Sequence, residues 1–231
     1  MSDKRKIKAV IPVRKGSQRV KSKNIRPFAG SSILGIKIEQ LKRIKLIDEI
    51  IVSSDSDEML SLATSLGVTA LRRDPKYASS TIPANLLWEH IAQTCVDCDD
   101  ILYTNCTNPL VLDSSYTTAI ELYLSEDFQK NYDSLTSVHA VKEYIWHEGE
   151  AVNYDPSSHP RSQDLPDYYA LNFAMSIVPR TLMISRKNIL GEKFFPFYLT
   201  AVESIDIDNE DDFSIAEAMY SSKLHSTLRV K

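Results

Sequence analysis

Short apolar runs alternate with longer segments of helical spacing through the first half of this chain. "IKAVIPV" (7–13) leads, then "ILGIKIEQLKRIKLI" (33–47), "EIIVSSD" (49–55), "DEMLSLATSLG" (57–67) and "TALRR" (69–73). "ANLLWEHIAQTCV" (84–96) and "DILYTN" (100–105) continue the series. The short runs lack polar alternation, as in strands covered on both faces. The longer ones carry a helical stripe, with Leu34, Ile38, Leu41, Ile44 and Ile47 on one face of the first. Gly67 is placed to cap the second helix. Strand–helix alternation of this kind specifies an α/β fold, doubly wound, with a mostly parallel (mixed) sheet and helices on both faces. Such sheets bind ligands beyond the carboxyl ends of their strands.

The pattern changes after about residue 133. "SLTSVHAV" (134–141) and "LNFAMSIV" (171–178) read as strands, separated by a polar stretch holding Pro156, Pro160 and Pro166. That stretch, about 142–170, is too long for an ordinary connection and reads as an excursion from the sheet. "FYLTAVESIDI" (197–207) reads as a last strand, followed by an amphipathic helix in "NEDDFSIAEAMYSS". With 231 residues, one domain spanning 1–231 is the expectation.

At the end of the first strand lies "IPVRKGSQRVKSKN" (11–24). Six basic residues fall between Arg14 and Arg26, in a chain of net charge -4. Backbone N–H groups and cations at the ligand end of such a sheet suit a polyanion. The loop is neither a Walker loop, since Lys23 precedes Asn24, nor a dinucleotide fingerprint, since Gly16 is alone in the turn. The acidic balance argues against nucleic acid as a partner. No apolar run approaches a membrane span, and the first residues lack a secretory apolar region, so a cytoplasmic protein without membrane partners is expected. Cys95 and Cys98 spell CxxC. A zinc site would need Cys106 and His90 as well, and packing is the stronger reading.

Order along the chain carries a resemblance. "IPVRKGSQRVKSKN" resembles the opening motif of the sugar-activating cytidylyltransferases, roughly I-P-A-R-x-x-S-x-x-x-x-x-K-N, with Arg14, Ser17, Lys23 and Asn24 matching. These include the CMP-sialic, legionaminic and pseudaminic acid synthetases and, more distantly, the CMP-Kdo synthetases. Gln18 departs from the Lys often found in sialic acid enzymes, and Arg19 is similar to the Ser-x-Arg of the Kdo enzymes. "RRDPKYASST" resembles R-R-P-x-x-L-A-x-D, with Ser80 at the Asp position. "ILYTNCTNPLV" resembles L-L-Q-P-T-S-P-L-R without the Gln. "RSQDLP" (161–166) is close to R-R-Q-D-L-P, "YYALNFAMSIV" to Y-x-x-N-G-A, and "SIDIDNEDDFSIAE" to D-I-D-x-x-x-D.

The resemblance implies a nucleotide-diphospho-sugar transferase-like fold. It also implies an enzyme that joins CTP to a 3-deoxy-2-keto sugar acid of the nonulosonic type, giving a CMP-sugar for surface polysaccharide and releasing pyrophosphate. Alternatives are CMP-Kdo or amino-Kdo synthesis, or a non-catalytic nucleotide-binding relative. Arg14, Gly16, Ser17, Arg19, Lys23, Asn24 and Arg73 are the expected nucleotide contacts. Arg14 offers a planar fork, Lys23 a point charge. Asp206 and Asp208 are expected to hold Mg²⁺ or Mn²⁺, and with Arg14 and Lys23 they form the expected catalytic set. Spacing two apart at a strand end points both carboxylates one way, with Ile207 inward; Asp208 as a helix N-cap is the plainer reading. Arg161, Gln163, Tyr169 and Asn172 are the expected sugar contacts. The excursion is implied to reach across a homodimer interface, with Arg161 near the partner subunit.

Overall fold

The structure is a computed structural model and describes residues 5–17 and 19–222. Gln18, one of the departures noted above, lies outside the described residues. Seven strands build the main sheet: β1 (Ile7–Pro12), β2 (Glu49–Ser54), β3 (Thr69–Arg72), β4 (Asp100–Tyr103), β5 (Ser134–Val141), β6 (Tyr168–Pro179) and β7 (Phe194–Tyr198). Their spatial order is β7-β5-β6-β4-β1-β2-β3. β1 pairs in parallel with both β2 and β4, and β2 with β3. β6 runs antiparallel to both its neighbours, β4 and β5, while β7 is parallel to β5. The expected mixed, mostly parallel sheet is the one observed.

Alternation along the strands splits the core into two layers. Ile7, Ala9 and Ile11 of β1 face one layer and Val10 the other. The first layer is covered by α1 (Ile33–Lys42), α2 (Asp57–Ser65), α4 (Asp113–Leu124), α5 (Glu126–Asn131) and α7 (Glu210–Ser221), through residues such as Leu34, Met59, Ile120, Phe128 and Phe213. The second is covered by α3 (Ala84–Thr94) and α6 (Arg180–Arg186), through Ile91 and Met183. Gly67 follows α2 at φ +74, where its lack of Cβ removes the left-handed penalty, and Val68 N–H closes back on Ala63 O at 3.1 Å.

Several local features depart from the sequence reading. The last strand is Phe194–Tyr198, upstream of where the apolar run placed it; residues 199–208 run as turns and irregular chain. Pro196 sits within that strand and Glu203 is consumed in the turn that follows, accepting from Thr200 Oγ1 at 2.8 Å. The periodicity also did not reveal α4, whose N-terminus "DSSY" is capped by no side chain. The excursion is the tip of the β5–β6 hairpin. It holds a two-residue ladder, Trp146–His147 with Glu150–Ala151, and one 3₁₀ turn, Ser162–Asp164.

β6 changes register between Leu171 and Ser176. Phe173 lies in that irregularity at φ +53, in the left-handed region. A bulge there suits glycine, and the resembled Y-x-x-N-G-A motif has glycine at this position.

Candidate active site

A cavity of about 540 Å³ opens where the carboxyl ends of β1 and β4 meet. Its lining includes Arg14, Ser17, Arg19, Lys23, Asn24 and Arg73 on one side and Asp206 and Asp208 on the other. The loop after β1 is pinned at several points. Lys15 N–H donates to Asp55 Oδ1 at 2.9 Å, and Gly16 turns the chain at φ +83, a conformation open to glycine without strain. Asn24 is buried; its carbonyl accepts from Leu34 N–H at 3.1 Å, and its side-chain oxygen accepts from Cys106 Sγ at 3.5 Å. Asn24 therefore joins the loop to α1 and to the segment after β4.

The cations around this loop differ in their commitments. Arg26 leaves the cavity to pair with Glu210 at 2.7 Å and stack on Phe213 at 4.5 Å. Arg72 pairs with Asp57, while Arg73 turns inward, only 2% exposed, and donates from Nη2 to Val13 O. Arg73 Nε and Nη1 have no partner within the protein, and burial pulls its pKa down. Leaving buried guanidinium donors unpaired is costly, so this side chain is built to meet an acceptor in the cavity. Arg19 Nη2 donates to Asp208 Oδ1 at 2.7 Å, and Lys23 Nζ donates to Ile207 O and lies 4.0 Å from Asp208 Oδ1.

Asp206 and Asp208 flank Ile207, which is wholly buried, so both carboxylates reach the cavity although the backbone is not a strand. The segment is held from beneath: Ile207 N–H donates to Thr107 O at 2.9 Å, and Asn108 Nδ2 to Ile205 O at 3.3 Å. A buried Lys37 supports that turn, donating to Asn108 O at 3.1 Å, Gln40 Oε1 at 2.8 Å and Tyr116 Oη at 2.8 Å. The cap of α7 is Asn209, in a reciprocal capping box with Asp212, so Asp208 is not spent as an N-cap. Asp206 Oδ1 is buried with no partner, and burial, opposed by a Thr107 hydrogen bond and assisted by Asp208, pushes its pKa up. Two oxygen donors of this kind, one orphaned, fit a hard divalent cation, which takes one or two carboxylates from a protein and the rest from phosphate and water.

The four expected sugar contacts are not brought to this cavity. Arg161 is exposed and paired with Asp164 at 2.7 Å; Gln163 is exposed beside it. Tyr169 is 41% exposed and packs edge-on against Phe194 and Tyr198. Asn172 is buried in the bulge, accepting from Ser137 Oγ at 2.5 Å and donating to Ser204 Oγ at 3.1 Å. Conversely, Leu87, Tyr103, Asn105 and Thr107 line the cavity and were not singled out from sequence. The signal for the last three was their position at the carboxyl end of β4. Cys106 borders the same cavity and His90 stacks on Tyr77 at 3.9 Å, so neither completes a CxxC zinc set.

Fold and cavity together define a doubly wound α/β protein built to hold a polyanion beside two carboxylates. A family model described as "Cytidylyltransferase" matches residues 8–218, and the chain belongs to that family. It is 26% identical to an N-acylneuraminate cytidylyltransferase of Oncorhynchus mykiss over 93% of this chain, though it spans about half (50%) of that relative's length. It is 27% identical to a CMP-N,N'-diacetyllegionaminic acid synthase of Legionella pneumophila, covering 93% of this chain and 96% of that one. Among solved structures it resembles a CMP:2-keto-3-deoxy-manno-octonic acid synthetase complexed with CTP, with TM-score 0.66 at 15% identity, covering 94% of this chain and 98% of that one. A 4-diphosphocytidyl-2C-methyl-D-erythritol synthase from Anaerococcus prevotii superposes with TM-score 0.71 at 14% identity, covering 95% and 98%. These two likenesses bear on the fold.

Proposed function

We propose that the chain joins CTP to an eight- or nine-carbon 3-deoxy-2-keto sugar acid, with nonulosonic acids the preferred class. A sugar hydroxyl attacks the α-phosphorus, the bond to the β-phosphate oxygen breaks, and pyrophosphate leaves. Arg73 carries this reading: a buried, half-unpaired guanidinium facing a cavity lined by Arg14, Ser17 and Lys23. Arg14 and Lys23 neutralise charge that builds on phosphate oxygens, and the positioned donors act mainly by electrostatic stabilisation. Asp206 and Asp208 would hold Mg²⁺ or Mn²⁺, which supplies charge neutralisation at the phosphates.

The same reading makes the chain a cytoplasmic homodimer feeding surface polysaccharide synthesis. The exposed aromatics of the excursion and of β6 and β7, Trp146, Tyr168, Tyr169 and Tyr198, support a partner surface there. No helix among the described residues is long and apolar enough to cross a membrane.

The test is pyrophosphate release with CTP and Mg²⁺ over a panel of keto acids, alongside thermal shifts with the four nucleoside triphosphates. Release with a nonulosonic acid and the largest shift with CTP are expected. A Kdo-only response moves the substrate assignment to the eight-carbon acids. Equal shifts for all four nucleotides and no release overturn the proposal.

A further inference from the structure

The CxxC motif lies at the amino-terminal edge of the sheet, away from the cavity. Cys95 is the C-cap of α3, with its N–H on Ile91 O at 2.9 Å. Asp97 then turns the chain at φ +56, and Cys98 comes back over the helix end. The result brings Cys95 Sγ and Cys98 Sγ to 3.7 Å, with Cys98 Sγ also 3.6 Å from Cys95 O. A disulfide needs about 2.0 Å between the sulfurs, so the two stand in contact as free thiols.

The two sulfurs are unequal. Cys95 is 1% exposed, while Cys98 is only partly buried and open to an incoming reagent. The Cys95 hydrogen bond, with Lys8 and Arg180, draws the Cys98 pKa down against burial; the shared hydrogen bond and burial drive that of Cys95 up. Both sulfurs lie at the helix C-terminus, so exposure separates them: Cys98 is the one an incoming disulfide can meet, and Cys98 is the nucleophile. The charged surroundings come from four elements. Lys8 of β1 is paired with Glu49 of β2 at 2.6 Å. Arg180 of α6 donates from Nε to Ala92 O at 2.8 Å, and Asp100 of β4 is engaged by Arg5 and by Tyr123 Oη. Packing alone does not need this arrangement. Cys106 is the contrast within the same chain: buried, pushed up to about 12 by desolvation, and bonded to Asn24. An inert thiol looks like Cys106; a low-pKa, accessible thiol facing a second sulfur is the pattern of an exchange pair.

We infer that Cys95 and Cys98 form a thiol–disulfide exchange site whose co-reactant is a low-molecular-weight disulfide. Cys98 thiolate attacks one sulfur of the disulfide RSSR, and one thiolate RS⁻ leaves. Cys95, giving up its proton, attacks Cys98 Sγ in the mixed disulfide, and the second RS⁻ leaves. The protein loses two electrons and two protons, and RSSR becomes two RSH. The site is independent of the nucleotide cavity.

The experiment uses the reduced full chain with glutathione disulfide, trapping with N-ethylmaleimide, intact mass and peptide mapping. Expected is a Cys95–Cys98 disulfide formed with the loss of two hydrogens, and Cys106 alkylated only after denaturation. In Cys95→Ala the reaction should stop at a stable glutathione adduct on Cys98, and in Cys98→Ala it should not begin; melting curves check that both variants fold. The wild-type chain alone decides the matter if either variant does not. Cys95 and Cys98 both remaining free, an adduct persisting on wild-type Cys98, or Cys106 oxidising at a comparable rate overturns the inference.

Discussion

The loop after β1 and the excursion at the tip of β5–β6 are both long, polar and outside the sheet, yet they are built in opposite ways. In the first, side chains that pin the backbone reach far along the chain: Asn24 to Cys106, Lys15 N–H to Asp55, Arg19 to Asp208. In the excursion they reach their own neighbours. Asn153 accepts from Ile145 N–H at 2.9 Å and donates to Glu143 O at 2.8 Å. Tyr144 and His159 stack at 4.7 Å, and Trp146 Nε1 donates to Tyr154 Oη at 2.9 Å. The difference teaches that the chain prepares its cationic cavity through its own tertiary contacts. The excursion is prepared as a self-contained unit whose aromatic face is left outward.

The comparison can be broken at its cavity side first. Asp206→Asn and Asp208→Asn should each lower CTP-dependent turnover by roughly 10²-fold or more, the scale of losing one electrostatic contact in the transition state. Steady-state pyrophosphate release measures it, and two active variants at saturating CTP and Mg²⁺ would place the cation elsewhere. On the excursion side the effect should be smaller and selective. Trp146→Ser and Arg161→Ala should raise KM for the sugar acid about tenfold, the size of a modest contact, with KM for CTP unchanged. Light scattering should show Trp146→Ser shifting toward monomer. Equal effects on both KM values would erase the distinction between the regions.

Smaller still is a pH effect on stability. The Asp206 carboxyl has its pKa raised by burial, so folding disfavours its charged form. Below the unfolded value, about 3.9, both states are protonated and nothing is lost. Stability falls as pH rises from there through the raised folded value. Asp206→Asn removes that loss, so its melting advantage without added metal should be larger at pH 7 than at pH 4. A constant difference across the range would deny the burial argument. The smallest effect is expected at Phe173→Gly. Relief of a left-handed aromatic residue gains about 1 kcal/mol, offset by the packing Phe173 makes against the second core layer, so the melting temperature should move by only a few degrees. A large fall would mean that the ring, not the backbone, governs the bulge.

How much of this was legible follows from what each part depends on. Strands β1, β2 and β4 are largely apolar runs buried on both faces, so the sequence pattern and the layered core describe the same residues, whereas β3 is a mostly exposed strand at the sheet edge. The basic loop was legible because its order and its place after β1 carry the signal. Arg73 was expected among the nucleotide contacts, and burial sets it apart from its neighbour Arg72: 2% exposed against a surface pair with Asp57. The pairing of Asp206 and Asp208 at the cavity was expected, but from strand geometry; it arises instead from irregular chain hung on Thr107 and Asn108, contacts that local pattern does not encode. Helix α4 buries Tyr116, Ala119, Ile120 and Tyr123 at helical spacing, but Ile120 is the one large aliphatic residue of the four, so the stripe is faint among the Ser, Thr and Glu of the other faces. Asn172 looked like a substrate contact, and in the fold its amide is taken up by Ser137 and Ser204. The register shift at Phe173 could not be foreseen from a residue type that avoids that conformation.

Arg19 meets Asp208 at 2.7 Å, and Arg26 meets Glu210 at 2.7 Å. Two of the loop's positive charges are thus balanced within the protein. For Arg19, taking a phosphate means letting go of a carboxylate: an exchange of counter-charges in place of a simple addition. Added salt screens the internal pair and the ligand pair alike. The affinity for a triphosphate should therefore fall less steeply with ionic strength than the loop's cation count suggests, and neutralising Asp208 should steepen it.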